Sequence, residues 1–141
     1  MSDHIEGRVV RISRPAESVY MLFSDFSHFT KAIPADTIGK YELRFTEETI
    51  IGKAYGFELG MQIVERTPFS KVAYKQYGSM PIEFSLTVNI TDITPKTCDF
   101  QLIMDAELPG IYRMMLGSKL QEVVDKLTDN IEAGLNMGFG L

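Results

Sequence analysis

Residues 83–91 (EFSLTVNIT) and 97–107 (TCDFQLIMDAE), followed by 116–131 (LGSKLQEVVDKLTDNI), decide the fold. In the first, Phe84, Leu86, Val88 and Ile90 alternate with Glu83, Ser85, Thr87 and Asn89. In the second, Cys98, Phe100, Leu102, Met104 and Ala106 share one side. Alternation of this kind is a strand with one apolar face. In the third, Leu116, Leu120, Val123, Val124, Leu127 and Ile131 recur at helical spacing. A sheet with one apolar face needs a cover, and a helix with one apolar stripe is a cover. The order points to a curved sheet gripping a C-terminal helix, a form that often encloses a ligand cavity.

Working outward, residues 38–107 read almost wholly as strand. The segment 38–46 (IGKYELRFT) puts Tyr41, Leu43 and Phe45 on one face. Next come 49–55 (TIIGKAY) and 57–66 (FELGMQIVER), the latter with Phe57, Leu59, Met61 and Ile63 together. The segment 71–78 (KVAYKQYG) aligns Val72, Tyr74 and Gln76. The connections at 67–70, 78–81 and 92–96 are short and carry Pro, Gly, Ser or Asp, which implies an antiparallel meander. Upstream, 3–13 reads as a first strand. Pro15 and Glu17 open a short helix to about Asp25, and a second short helix, Ser27 to Ala32, stops at Pro34. The last helix is expected over 111–134. Gly117 marks a soft point or a break, because Ile111, Met114 and Met115 lie off the stripe and Ser118-x-x-Gln121 matches a capping box. Glu122 and Lys126 form a favourable pair on its solvent side. Gly134 suits a helix end, with a loose tail after it.

With 141 residues, 45% of them hydrophobic, the chain is expected to be one domain, residues 1–141, with a real core. Net charge is −5 with no basic run, which argues against nucleic acid or an anionic membrane as the main partner. No stretch approaches the roughly 20 apolar residues of a membrane span, and the N-terminus carries no signal-length apolar run, so a cytoplasmic location is the expectation. The single cysteine, Cys98, excludes an internal disulfide and reads as a small core hydrophobe. His4 and His28 are too far apart to suggest a metal site, and nothing calls for a cofactor.

The order of elements resembles the START-like, helix-grip superfamily, also called the polyketide cyclase/dehydrase and lipid-transport (SRPBCC) group, which includes the birch-pollen-allergen fold. RISRPAESVYMLFSDFSHFTKAIP (11–34), IVERTPFSKVAY (63–74) and PGIYRMMLGSKLQEVVDKLTDNI (109–131) carry the likeness, which covers nearly the whole chain. It implies an α+β helix-grip fold: a curved antiparallel sheet of about seven strands around a long C-terminal helix, with two short helices after the first strand. It also implies an interior space where strand faces meet the helix stripe. The superfamily holds carriers, cyclases, hydroxylase domains and chaperone cofactors, and this chain shows no Rieske cysteine–histidine set.

The residues expected to line that space are Tyr41, Leu59, Met61, Tyr74, Gln76, Leu86, Phe100, Leu102 and Met104 from the strands, and Leu116, Leu120 and Val123 from the helix, with Leu43, Val88 and Leu127 on the same faces. Tyr41, Tyr74 and Gln76 are polar at the tip, so they either reach a wet rim or orient a ligand. Eight methionines suit either an adaptable pocket or an irregular core. Asp25 and His28 are close enough to touch, though a capping aspartate explains Asp25 as well. Arg44, Arg66 and Arg113 are either surface charges or carboxylate binders at a cavity mouth, with Arg113, near the helix start, the foremost. No acid, base or histidine falls on the inward faces. Three readings follow. The first is a non-catalytic binder or carrier of a small hydrophobic molecule, monomeric or homodimeric. The second is an interaction module using Ile111, Met114, Met115 and the C-terminal tail. The third is a cyclase-like enzyme, which needs an acid or base within about 3 Å of its substrate.

Overall fold

The computed structural model describes residues 2–31, 35–54, 56–79 and 82–136. The chain opens with strands β1 (Ser2–Glu6) and β2 (Val10–Ile12), helix α1 (Ala16–Phe23) and a 3-10 helix (Phe26–Lys31). Helix α2 (Ala35–Lys40) leads into β3 (Arg44–Phe45), β4 (Thr49–Ala54), β5 (Phe57–Thr67), β6 (Lys71–Tyr77), β7 (Glu83–Thr94) and β8 (Thr97–Glu107). Helix α3 (Gly110–Leu116), a 3-10 turn (Gly117–Lys119) and α4 (Leu120–Asn136) complete it. The strands form one curved antiparallel sheet in the order β1-β8-β7-β6-β5-β4-β3, with β2 also on β8. Strands adjacent in sequence from β3 to β8 are adjacent in space, as the short connections required.

Two expectations are corrected. The first strand is not continuous over 3–13. It breaks after Glu6, where the Gly7 N–H donates to the Leu102 carbonyl (2.8 Å). A Cβ there would stand 3.0 Å from both that oxygen and Val124 Cγ1, so the strand passes under α4 only because residue 7 has no side chain. Both halves pair with β8, which leaves seven positions across the sheet.

The segment 38–46 is mostly not a strand. Residues 35–40 are helical, with Asp36 in the first turn and Lys40 in the last, both signs matching the helix dipole. The helix closes in a Schellman motif. Glu42 takes φ 49°, its N–H donates to Gly39 O (3.3 Å), and the Leu43 N–H donates to Ile38 O (2.9 Å). The usual glycine signal is absent because glutamate fills the left-handed position.

Elsewhere the differences are smaller. The second short helix is 3-10 rather than α and begins at Phe26; the expected stop at Ala32–Pro34 lies outside the described residues. Asp25 caps it, its Oδ1 accepting from the Ser27 N–H (2.8 Å) and hydroxyl (2.6 Å). Those two hydrogen bonds, working against partial burial, hold its carboxyl below the usual aspartate range. The C-terminal helix changes to 3-10 geometry at Gly117–Lys119 and runs on to Asn136, past Gly134. Gln121 does not close a capping box on Ser118; its side chain reaches Asp125 (3.1 Å) and the Glu6 carbonyl. The tail beyond Asn136 lies outside the described residues.

The packed core occupies one half of the sheet's inner face. Helix α1 and the 3-10 helix deliver Val19, Leu22, Phe23 and Phe26 onto Val10, Ile12, Val72, Tyr74, Val88, Cys98, Phe100 and Leu102. Phe23 lies 5.2 Å from Phe100 and Phe26 lies 5.3 Å from Tyr74, centroid to centroid. Helix α4 packs on the β1–β2–β8 side, burying Val124, Thr128 and Leu135, and the Thr128 hydroxyl is satisfied by Val124 O (2.8 Å). Among the described residues, no helix is seated in the same way on the other half of the inner face, at the β4–β5 end. That division positions the site.

Candidate functional site

Along each long strand the inward residues pass from core to cavity. On β8, Cys98, Phe100 and Leu102 are deep core, and Met104 and Ala106, themselves buried, border the open space on its sheet side, followed by Leu108 just beyond the strand. On β7, Val88 and Ile90 are deep core, and Leu86, at the edge of that core, borders the space with Phe84, with Ile82 before them. On β5, Ile63 is core, and Met61 and Leu59 line the space. Strand β4 adds Ile50 and Gly52, and the Schellman turn after α2 presents Leu43. From the helix side come Leu116, Leu120, Val123 and Leu127. Together they bound a cavity of about 380 Å³. Leu59 (42% exposed), Val123 (44%) and Leu127 (38%) are the most open of these and mark its mouth, between β5 and α4.

Of the residues expected to line this space, the structure brings Leu59, Met61, Leu86, Met104, Leu116, Leu120 and Val123 together, and Leu43 and Leu127 with them. The remaining seven stand elsewhere, Val88 among them in the packed core. Phe100 and Leu102 are at most 1% exposed inside the packed half. Their face was read rightly, but they sit under α1 rather than over the cavity. Tyr74 is also core, and its hydroxyl donates to the Phe23 carbonyl (2.5 Å), which ties the sheet to the end of α1. Burial raises its pKa far above the ordinary tyrosine value. Gln76 donates to Gly78 O (3.0 Å), stabilising its own turn. Tyr41 is on the surface with the Lys40 ammonium 5.3 Å from its ring centre, because the end of α2 turns it away from Leu43. Arg113 pairs with Asp3 (3.2 Å) and so fastens α3 to β1.

The other charged candidates are committed to protein partners as well. Arg44 pairs with Glu58 (2.8 Å). Arg66 donates to Ser24 O (3.0 Å) and stands 3.9 Å from Glu48. His28 donates from Nδ1 to Met21 O (2.8 Å), and its Nε2 is 3.9 Å from Asp25. On the outer face, His4 bridges Asp105 (2.6 Å) and Glu6 (3.0 Å), and those hydrogen bonds raise its pKa. Burial, with Asp99 and Asp92 nearby, pushes the Cys98 thiol up to about 11, so it is a core hydrophobe and not a nucleophile.

Sequence reasoning left Ile50, Gly52, Gly60, Ile82, Phe84, Ala106 and Leu108 off the lining. Phe84 and Ala106 carried a usable signal, the same alternation as Leu86 and Met104. Gly52 and Gly60 carried none. A Cβ at Gly60 would come within 2.3 Å of Ile50 O, and one at Gly52 within 2.6 Å of Leu43 Cδ2, so these glycines let the wall fold closely on itself. Every described residue lining the cavity is apolar. Among the described residues no group of three or more His, Cys, Asp or Glu is placed to hold a metal, and no helix is long and apolar enough to cross a membrane.

No family model and no curated protein matches this chain in sequence. Solved structures do match it in shape. Norcoclaurine synthase of Thalictrum flavum, as a point mutant holding a transition-state analogue, aligns with a TM-score of 0.70 at 9% identity, over 96% of this chain and 94% of that one. A START superfamily protein from Mycobacterium smegmatis aligns at 0.64 and 12% identity, over 95% and 97%. A Rhizobium loti protein aligns at 0.68 and 15% identity, over 96% and 98%. The fold is therefore the START-like helix grip. At such identities the likeness establishes the fold, and the site must speak for the chemistry.

Proposed function

We propose that this protein binds a small hydrophobic molecule in the cavity between β4–β5 and α3–α4, and does not transform it. The observation that carries this reading is the lining: about 380 Å³ bounded, among the described residues, by Leu, Ile, Val, Met, Phe, Ala and Gly. A closed, dry space of that size would cost on the order of 9 kcal/mol at the rate seen in deletion series, an upper bound here because the space opens to solvent at Leu59, Val123 and Leu127. That rivals the whole stability of a domain, roughly 5–15 kcal/mol. Water is a poor filler, since it needs two or more polar partners and the walls offer apolar side chains. An apolar guest relieves the cost. Solved norcoclaurine synthase holds dopamine and hydroxybenzaldehyde, so the same fold also serves an enzyme. Catalysis of that kind needs an acid or base at the reacting atom. Here Tyr74 and His28 are engaged by backbone carbonyls, and Arg113 by Asp3. A cytoplasmic location, with Cys98 kept reduced, belongs to the same reading.

A second reading rests on α3. It leaves Ile111 (66% exposed), Met114 (87%) and Met115 (62%) outward, the face a homodimer or another protein partner would cover. A native mass spectrum of gently purified protein, repeated after denaturing, separates the two. The binder reading predicts an extra mass of small-molecule size that is lost on denaturing. A bare chain, or a dimer without extra mass, would favour α3 as the functional surface.

A further inference from the structure

The cavity's chemistry narrows the class of guest. We infer that its ligand is an uncharged hydrocarbon skeleton of about fifteen carbons, carrying no hydrogen-bonding group on the part that enters. The inference rests on the proposed binding function and goes further, to which molecules the site accepts and which it refuses.

The size comes from scale. An engineered apolar cavity of about 150 Å³ stays dry and takes up one benzene. The space here, about 380 Å³, is some two and a half times larger. Two fused or linked aromatic rings, or an equivalent branched aliphatic, fill it.

The polarity comes from what surrounds it. Each polar side chain that the strand pattern aimed inward is spent on the protein or turned away. The Tyr74 hydroxyl is held by Phe23 O, the Gln76 amide by Gly78 O, and the Tyr41 ring lies on the surface beside Lys40. Arg113, in α3, is engaged with Asp3. The backbone at Gly52 and Gly60, where the wall is bare of side chain, is spent in the β4–β5 ladder. A ligand hydroxyl or carboxylate carried inside would leave water and find no partner, which lowers affinity by about tenfold or more for a hydroxyl, and further for a charge. Sites built to bind hydroxyls keep a buried polar group free for them; among the described residues the one such atom, Asp3 Oδ2, lies opposite Ala106 on the same sheet face but belongs to no residue that lines the cavity.

The test uses three molecules of one shape: biphenyl, 4-phenylphenol and biphenyl-4-carboxylate. Each is titrated into the full chain labelled with 13C at the methionine methyls. Met61 and Met104 line the cavity, whereas Met114 and Met21 are at least half exposed outside it, so the methyl signals report where binding occurs. Biphenyl is expected to shift Met61 and Met104 saturably and at least tenfold more tightly than either polar analogue. Equal or tighter binding of the phenol or carboxylate at those same methyls would overturn the ligand class and leave the binding function standing. Shifts confined to Met114 or Met21, or no shift with any of the three, would overturn both.

Discussion

Phe100 and Leu59 show how far a residue's pattern determines its role. Both lie on the inward face of a long strand. Phe100 is fully buried against Phe23, whereas Leu59 is 42% exposed at the cavity mouth. Phe100→Ala is therefore expected to cost about 3–5 kcal/mol of unfolding free energy, as a buried aromatic deletion does. Leu59→Ala should cost only about 1 kcal/mol, since much of that side chain already meets solvent or open space. Urea unfolding of the two variants checks the contrast; equal losses would mean the sheet is packed evenly and the division into core and cavity is wrong. Alternation told the two faces of each strand apart because a buried face demands apolar residues at every second position. It could not say where along that face α1 ends its cover, since nothing in the alternation of β8 itself separates Leu102 from Met104. For the same reason Tyr74 and Gln76, read as polar tips in a cavity, belong instead to the α1 junction and a turn.

Elements were legible where a period or a breaker governs them. The hairpins β5–β6 and β7–β8, and the stripe of α4, follow from periods of two and 3.6 residues. Helix α2 was not legible. Its six residues are too short for a period, and Glu42 occupies the position where glycine would have announced the end. The joint between α3 and α4 was legible because Gly117 weakens the helix there. Its φ of −55° and ψ of −39° are ordinary helical values, and a Cβ would come no closer than 3.6 Å to Arg113 Cγ. Nothing in the backbone requires glycine at this place. Gly117→Ala should then stabilise the protein by about 0.5–1 kcal/mol, measured as a higher urea midpoint with an unchanged slope. A loss of stability would show that the 3-10 turn depends on the glycine. Helix α3, with no buried residue of its own, is held by this joint and by the Arg113–Asp3 pair.

At the scale of the whole molecule, the helix grip is asymmetric. Helix α1 and the 3-10 helix fill one end of the curved sheet, and α4 leans on the β1–β2–β8 edge, so the β4–β5 end keeps an apolar hollow. The sequence carried enough aromatic and methionine side chains to close that hollow. The structure spends Phe23, Phe26 and Phe100 on the core and leaves the hollow to Leu59, Met61, Met104 and their neighbours. The central claim is that this hollow is a binding site. Phenanthrene, a fluorescent and uncharged fourteen-carbon ring system, tests it through the rise in anisotropy on titration into the wild type and into Leu120→Trp. The indole should fill the space beside Met104 and Val123 and cost about 1–3 kcal/mol of stability while leaving the protein folded. Saturable one-to-one binding in the wild type, weakened at least tenfold in the variant with its unfolding transition intact, is the predicted result. No saturable binding in the wild type, or equal binding in a folded Leu120→Trp protein, would contradict it.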